Sequence, residues 1–119
     1  MANTYVENTT GYSVTGKALL DTAATLSPAQ TPIGVTLLVT DISATLVDVG
    51  GLLPRVRFRV EDMGGAILYE GAVADDHRTT ATFRHPKRAN GLRFVAVDLE
   101  NAGDIASIVV SYIRQANLS

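Results

Sequence analysis

The chain has no cysteine and no tryptophan, and its only histidines are His77 and His85. Without cysteine there is no disulfide to staple the fold and no thiolate to hold a metal, so stability has to come from packing or from assembly. Charge is also scarce: Asp, Glu, Lys and Arg make up 18 % of the residues, against about a quarter in an average soluble domain. Uncharged surface is therefore left over for a partner. No run of about 18 apolar residues occurs, so no membrane-crossing helix is expected. The start, Met1-Ala2-Asn3-Thr4-Tyr5-Val6-Glu7-Asn8, lacks the basic and apolar stretches of a secretion signal. These absences predict a chain made in the cytoplasm and not held by a membrane.

What is present is a β pattern. Residues 33–40, 44–49, 55–61, 66–74, 79–84, 92–99 and 105–113 are short runs rich in β-branched and aromatic residues. Between them stand Gly50-Gly51, Pro54, Asp62-Met63-Gly64-Gly65, Pro86, Asn90-Gly91 and Asn101-Ala102-Gly103-Asp104, residue types that accept positive φ or preset a turn. Turns recurring about every 10 residues mark a sandwich or barrel. The 119 residues fit a single domain, for which surface scaling predicts about 6,000 Å² exposed when folded. The expected fold is all-β: an antiparallel β-sandwich, jelly-roll-like, with an extended N-terminal arm. Residues 1–32, rich in Thr, Asn, Ala and Ser, read as that arm or as first strands, with short extended runs at 4–7 and 12–16. Residues 18–26 fit a helical turn, a strand or a loop alike, and 27–32, with two prolines, read as a junction. Residues 33–119 then make the sandwich core.

Alternation assigns faces. Val56, Phe58 and Val60 point one way, into the core, and Arg55, Arg57 and Arg59 the other. The last strand is apolar on both faces, which predicts a place inside a sheet with both sides covered. Eight of the ten basic residues fall between 55 and 93, with five acidic residues among them, a net of +3. That excess is too small for a general nucleic-acid footprint. The arginine row, with about 6.8 Å between alternate side chains, suits carboxylates of a protein partner, or a solvated face balanced by acids such as Glu70. Residues 84–93 hold the densest basic stretch, including Arg84, Lys87 and Arg88, and read as an exposed hairpin loop. Arg55, Arg57, Arg59, Arg84, Lys87 and Arg88 are thus the candidate partner-binding residues.

Other chemistry is thin. Asp75, Asp76, His77 and His85 have ligand atoms without the spacing that makes a zinc site. Asp98, Glu100, Asn101 and Asp104 offer hard oxygens around a glycine turn that suit calcium, or an ordinary turn rich in Asn and Asp. Ser43 and Ser111 have no base nearby in sequence, and no phosphate-cradling motif occurs. The reading is of a protein that is not an enzyme and takes no cofactor.

In size, in its arm, in its short strands and turns from Ile33 to Ile113 and in its lack of cysteine, the chain resembles the small decoration (cement) proteins of tailed-bacteriophage capsids. The resemblance implies a structural role in the virion, on the capsid surface, bound to the major capsid protein or another virion protein as a dimer or trimer, with no nucleic acid. It carries over no particular residue. The alternative from another class is a carbohydrate- or receptor-binding β-sandwich, such as part of a tail fibre, although most of the seven Tyr and Phe residues sit at positions a core would claim.

Overall fold

The computed structural model describes residues 3–29, 34–74 and 78–116. The described residues form nine strands and no helix: β1 (Thr4–Thr10), β2 (Ser13–Leu20), β3 (Thr25–Ala29), β4 (Val35–Asp48), β5 (Arg55–Glu61), β6 (Ile67–Ala74), β7 (Thr79–Ala89), β8 (Leu92–Leu99) and β9 (Ile105–Ala116). They lie in two sheets, a five-stranded one ordered β1-β2-β9-β4-β7 and a four-stranded one ordered β3-β8-β5-β6. Every neighbouring pair is antiparallel. From β2 onward the eight strands are shared equally between the sheets, and every neighbouring pair among them except β5–β6 joins strands that are not consecutive in sequence. This is the jelly roll, two interlocked Greek keys closed into a sandwich. The expected fold class is therefore observed. The molecule measures 52 × 26 × 25 Å, and its 6837 Å² of exposed surface exceeds the value expected for a rounder domain.

The core lies between the sheets. Val14, Ala18 and Leu20 of β2, Leu37, Val39, Ile42 and Ala44 of β4, and Ala106, Ile108, Val110 and Tyr112 of β9 line one wall. Val56, Phe58, Val60, Val73, Leu92, Phe94 and Ala96 line the other. Phe58 is 1 % exposed, as alternation along β5 requires. Tyr69 tilts against it, with ring centroids 5.9 Å apart.

Four readings of the sequence need correction. Residues 3–29 do not form a detached arm: β2 sits between β1 and β9, paired with β9 along its whole length, and β3 edges the other sheet. Removing them would open the core at Val14, Ala18 and Leu20. The expected junction at 27–32 begins inside β3, and its residues 30–32 lie outside the described part. Two strands expected at 33–40 and 44–49 are one 14-residue strand, β4, because a register shift between Val39 and Asp41 changes which residues face inward without breaking the ladder. Residues 84–93 are not a hairpin loop: β7 runs to Ala89, and Asn90-Gly91, with Gly91 at φ 89°, carries the chain across to the opposite sheet.

β9 is interior to its sheet, between β2 and β4, as its composition predicts. Its outer side is only half covered, with Val109 partly exposed and Ile113 38 % exposed, so the second cover expected for it is not supplied by the described chain.

Candidate functional site

On β5 the inward Val56, Phe58 and Val60 fix the strand, and the strand's pleat turns Arg55, Arg57 and Arg59 to the outer face of the four-stranded sheet. Next to them on β6 the register places Ala74 opposite Arg55, Ala72 opposite Arg57 and Glu70 opposite Arg59. Ala72 is short. With Gly71 and Val97 it leaves a trough of about 460 Å³ beside the arginine row.

The three guanidinium groups differ. Arg55 reaches Glu100 Oε2 at 3.5 Å, with both side chains about half exposed. Arg59 lies 3.0 Å from Glu61 Oε2 and 4.0 Å from Glu70 Oε2. Its Nε is in ionic contact with Glu61 but too poorly aligned to count as a hydrogen bond. Glu61 is 6 % exposed and also holds Arg93 at 2.7 Å, so this carboxylate ties β5 to β8. Arg57, between them, makes no ion pair with any described residue, although Asp98 stands opposite it on β8. The row is therefore two braced arginines around an exposed one that has no ion-pair partner among the described residues. A planar donor in this setting can take a carboxylate in bidentate fashion.

The other candidate residues do not join this face. Arg88 pairs with Leu38 on the five-stranded sheet. Arg84 lies where β7 loses register opposite Thr40. Lys87 is used internally: its Nζ lies 4.9 Å from the centroid of the Phe83 ring and donates to the Leu68 carbonyl at 3.2 Å, linking β7 to β6. The six basic residues thus divide between the two sheets.

The oxygen-rich turn after β8 is a clamp. Asp104 is fully buried, and its carboxylate accepts hydrogen bonds from the backbone N–H groups of Gly50 (2.7 Å), Asn101 (3.0 Å) and Arg55 (3.3 Å). Asn101 Nδ2 donates to the Leu52 carbonyl at 2.9 Å. Both Asp104 oxygens face donors, an arrangement that positions loops and occupies three of the carboxylate's roughly four lone-pair sites. Among the described residues no group of three or more His, Asp or Glu side chains converges. Residues 75–77, which include Asp75, Asp76 and His77, lie outside the described part, and His85 is exposed on β7.

A polar cluster that sequence reasoning missed lies between β1 and β9. The Tyr112 hydroxyl donates to Glu7 Oε1 and lies 3.2 Å from the Tyr5 hydroxyl, and Arg114 holds both Glu7 oxygens, at 3.1 and 3.3 Å. Burial, then the hydrogen bond to Tyr112, pushes the Tyr5 hydroxyl far above its usual pKa. Burial, then the bond to Glu7, raises Tyr112. At Arg114 burial acts to lower the pKa, but the Glu7 charge and Tyr112 outweigh it and the net shift is upward. The partners are more than 100 residues apart in sequence, so no local signal could have joined them.

No family model and no curated protein matches the chain. Among solved structures it is similar to a Cupin_2 domain of an XRE-family transcriptional regulator from Enterobacter cloacae, at TM-score 0.40 and 9 % identity over 92 % of this chain and 96 % of that one. It is also similar to a Bacillus endospore appendage protein that forms disulfide-linked pili, at TM-score 0.47 and 13 % identity over 98 % and 91 %. A third is the family 32 carbohydrate-binding module of C. perfringens NanJ, solved with galactose, at TM-score 0.41 and 17 % identity over 83 % and 66 %. Against procruciferin from Brassica napus the chain spans only 22 % of the longer protein. These are likenesses of fold and assign no activity. The jelly roll is read from the order and direction of the chain's own strands.

Proposed function

We propose that the protein is a non-enzymatic structural component of a virus particle, a decoration protein that attaches to a bacteriophage capsid lattice through the arginine face of its four-stranded sheet. The observation that carries this reading is the arginine row of β5, with Arg57 unpaired among the described residues and set beside a trough opened by Ala72 and Gly71. The flanking carboxylates Glu61, Glu70 and Glu100 cancel most of the local charge. A surface so balanced favours a few carboxylates on a protein over a polyanion. The sugar-binding alternative receives less support, because Tyr12 is the sole aromatic side chain exposed enough to stack on a ring.

The test is attachment to particles stripped of their decoration, at low and high ionic strength. Replacing Arg55, Arg57 and Arg59 by Ser is expected to preserve folding: Arg55 and Arg57 are exposed, where substitutions change stability by about 0.5 kcal/mol or less each, and Arg93 still pairs the buried Glu61 once Arg59 is replaced. Attachment weakens and loses most of its salt dependence. The same change at Arg84 and Arg88 has a smaller effect. Equal attachment of the triple variant and wild type at both salt concentrations would overturn the reading, and selective retention on a glycan array would install the carbohydrate-binding one.

A further inference from the structure

The loop between β4 and β5 displays two leucines with nothing of the chain around them: Leu52 is 90 % exposed and Leu53 87 %. Val49 beside them is 48 % exposed. Adjacent bare leucines on a mobile loop would fold back onto the nearest apolar surface. These are held out. Asp104 grips the loop at Gly50 and at the start of β5, and Asn101 holds the Leu52 carbonyl. Gly50 packs against the 102–104 backbone too closely for any side chain. Leu53 itself has φ 52°, the left-handed region that a leucine rarely enters. Strain held in place by a buried clamp, at a site with no internal role for the side chains, points to use by a partner.

A matching surface lies on the same chain. On the outer face of β1 and β2, Val6, Leu19, Thr4, Thr15, Asn8 and the stem of Lys17 line a groove of about 400 Å³, with Glu7 at its margin. Val6 is 68 % exposed. The chain does not fill this groove with its own leucines, as their exposure proves. Glu7 at the groove margin is already paired with Arg114, which leaves Lys17, exposed and without an ion pair to any described residue, as the groove's uncompensated charge, and exposed Asp48, of opposite sign, stands at the base of the leucine loop. We infer that the occupant is a second copy of this chain, the Leu52–Leu53 knob of one copy seating in the β1–β2 groove of another, with Asp48 brought toward Lys17. Two different surfaces meet in such a contact, and the rotation between copies sets how many close the assembly. The inference is independent of the arginine face.

Sedimentation of the full chain over a concentration series tests it. Wild type is expected to associate. A knob variant, Leu52→Ser with Leu53→Ser, and a groove variant, Val6→Glu, are each expected to sediment as monomers while melting like wild type. Val6→Ser replaces the groove variant should Val6→Glu melt early. Mixed together, the two monomeric variants regain association, because one keeps the groove and the other the knob. A monomeric wild type, a knob variant that associates as wild type does, or a mixture that stays monomeric would each overturn the proposal.

Discussion

The ring of Tyr5 lies directly across Gly16, filling the space that any Cβ at position 16 would need. Tyr5 leans from the edge strand β1 over β2 to reach Tyr112 on β9, and its ring meets Phe94 of the facing sheet with centroids 5.8 Å apart. One glycine thus lets an edge-strand tyrosine close the side of the core.

Gly16→Ala is therefore expected to destabilise the fold by about 1–3 kcal/mol, the usual cost of overpacking, although alanine is otherwise the better strand residue. A thermal or urea melt reads the loss. In a Tyr5→Ala background the same substitution should cost almost nothing, because the clash has no partner; an undiminished cost there would show that the backbone at position 16, not Tyr5, demands glycine.

The tyrosine cluster also makes stability depend on alkaline pH. Both Tyr5 and Tyr112 have folded-state pKa values raised above the ordinary 10.0, chiefly by burial. Below that value both states keep their protons and the contribution is complete. As pH rises past it, the unfolded chain releases protons that the folded chain retains, so stability falls with pH. Denaturation midpoints measured from neutral into alkaline solution should decline, and Tyr5→Phe, which removes one of the two raised groups, should flatten the decline. An unchanged slope would place the alkaline sensitivity elsewhere.

Asp104→Ala should be more damaging than any change on the arginine face. It strips three part-buried backbone donors of their buried acceptor, and unpaired buried donors cost about 1–3 kcal/mol each before any relaxation or entry of water. A loss of about 3 kcal/mol in a urea melt is expected, together with faster amide exchange at Gly50, Arg55 and Asn101. Wild-type exchange at those amides would mean that another acceptor replaces the carboxylate. Added calcium should not restore the variant.

The sequence by itself determined the all-β class, the turns at Gly50-Gly51, Asp62-Met63-Gly64-Gly65, Asn90-Gly91 and Asn101-Ala102-Gly103-Asp104, and the faces of β5, because alternation and turn chemistry are local properties of a chain, whereas the turn expected at Pro86 lies inside β7. Val56, Phe58 and Val60 could be placed inside, and Arg55, Arg57 and Arg59 outside, without knowing any neighbour. It left residues 3–29 open between an arm and first strands, of which the strands are observed, and it could not choose for a physical reason. The inward row of β2 is Val14, Gly16, Ala18, Leu20, and its two small residues weaken the apolar signal because the missing volume at Gly16 is supplied by Tyr5 from another strand. Asp104 was similarly ambiguous. Its donors at Gly50 and Arg55 lie about fifty positions away, so the choice between cation ligand and loop clamp did not exist until the chain had folded. Tertiary structure alone decided that the basic residues divide between two sheets, that Arg57 lies between braced neighbours without an ion-pair partner among the described residues, and that none of the described residues fills the apolar groove or covers the leucine knob. Each of these depends on which strands become neighbours, and that is settled by burial of the whole apolar set at once rather than by any short stretch of sequence.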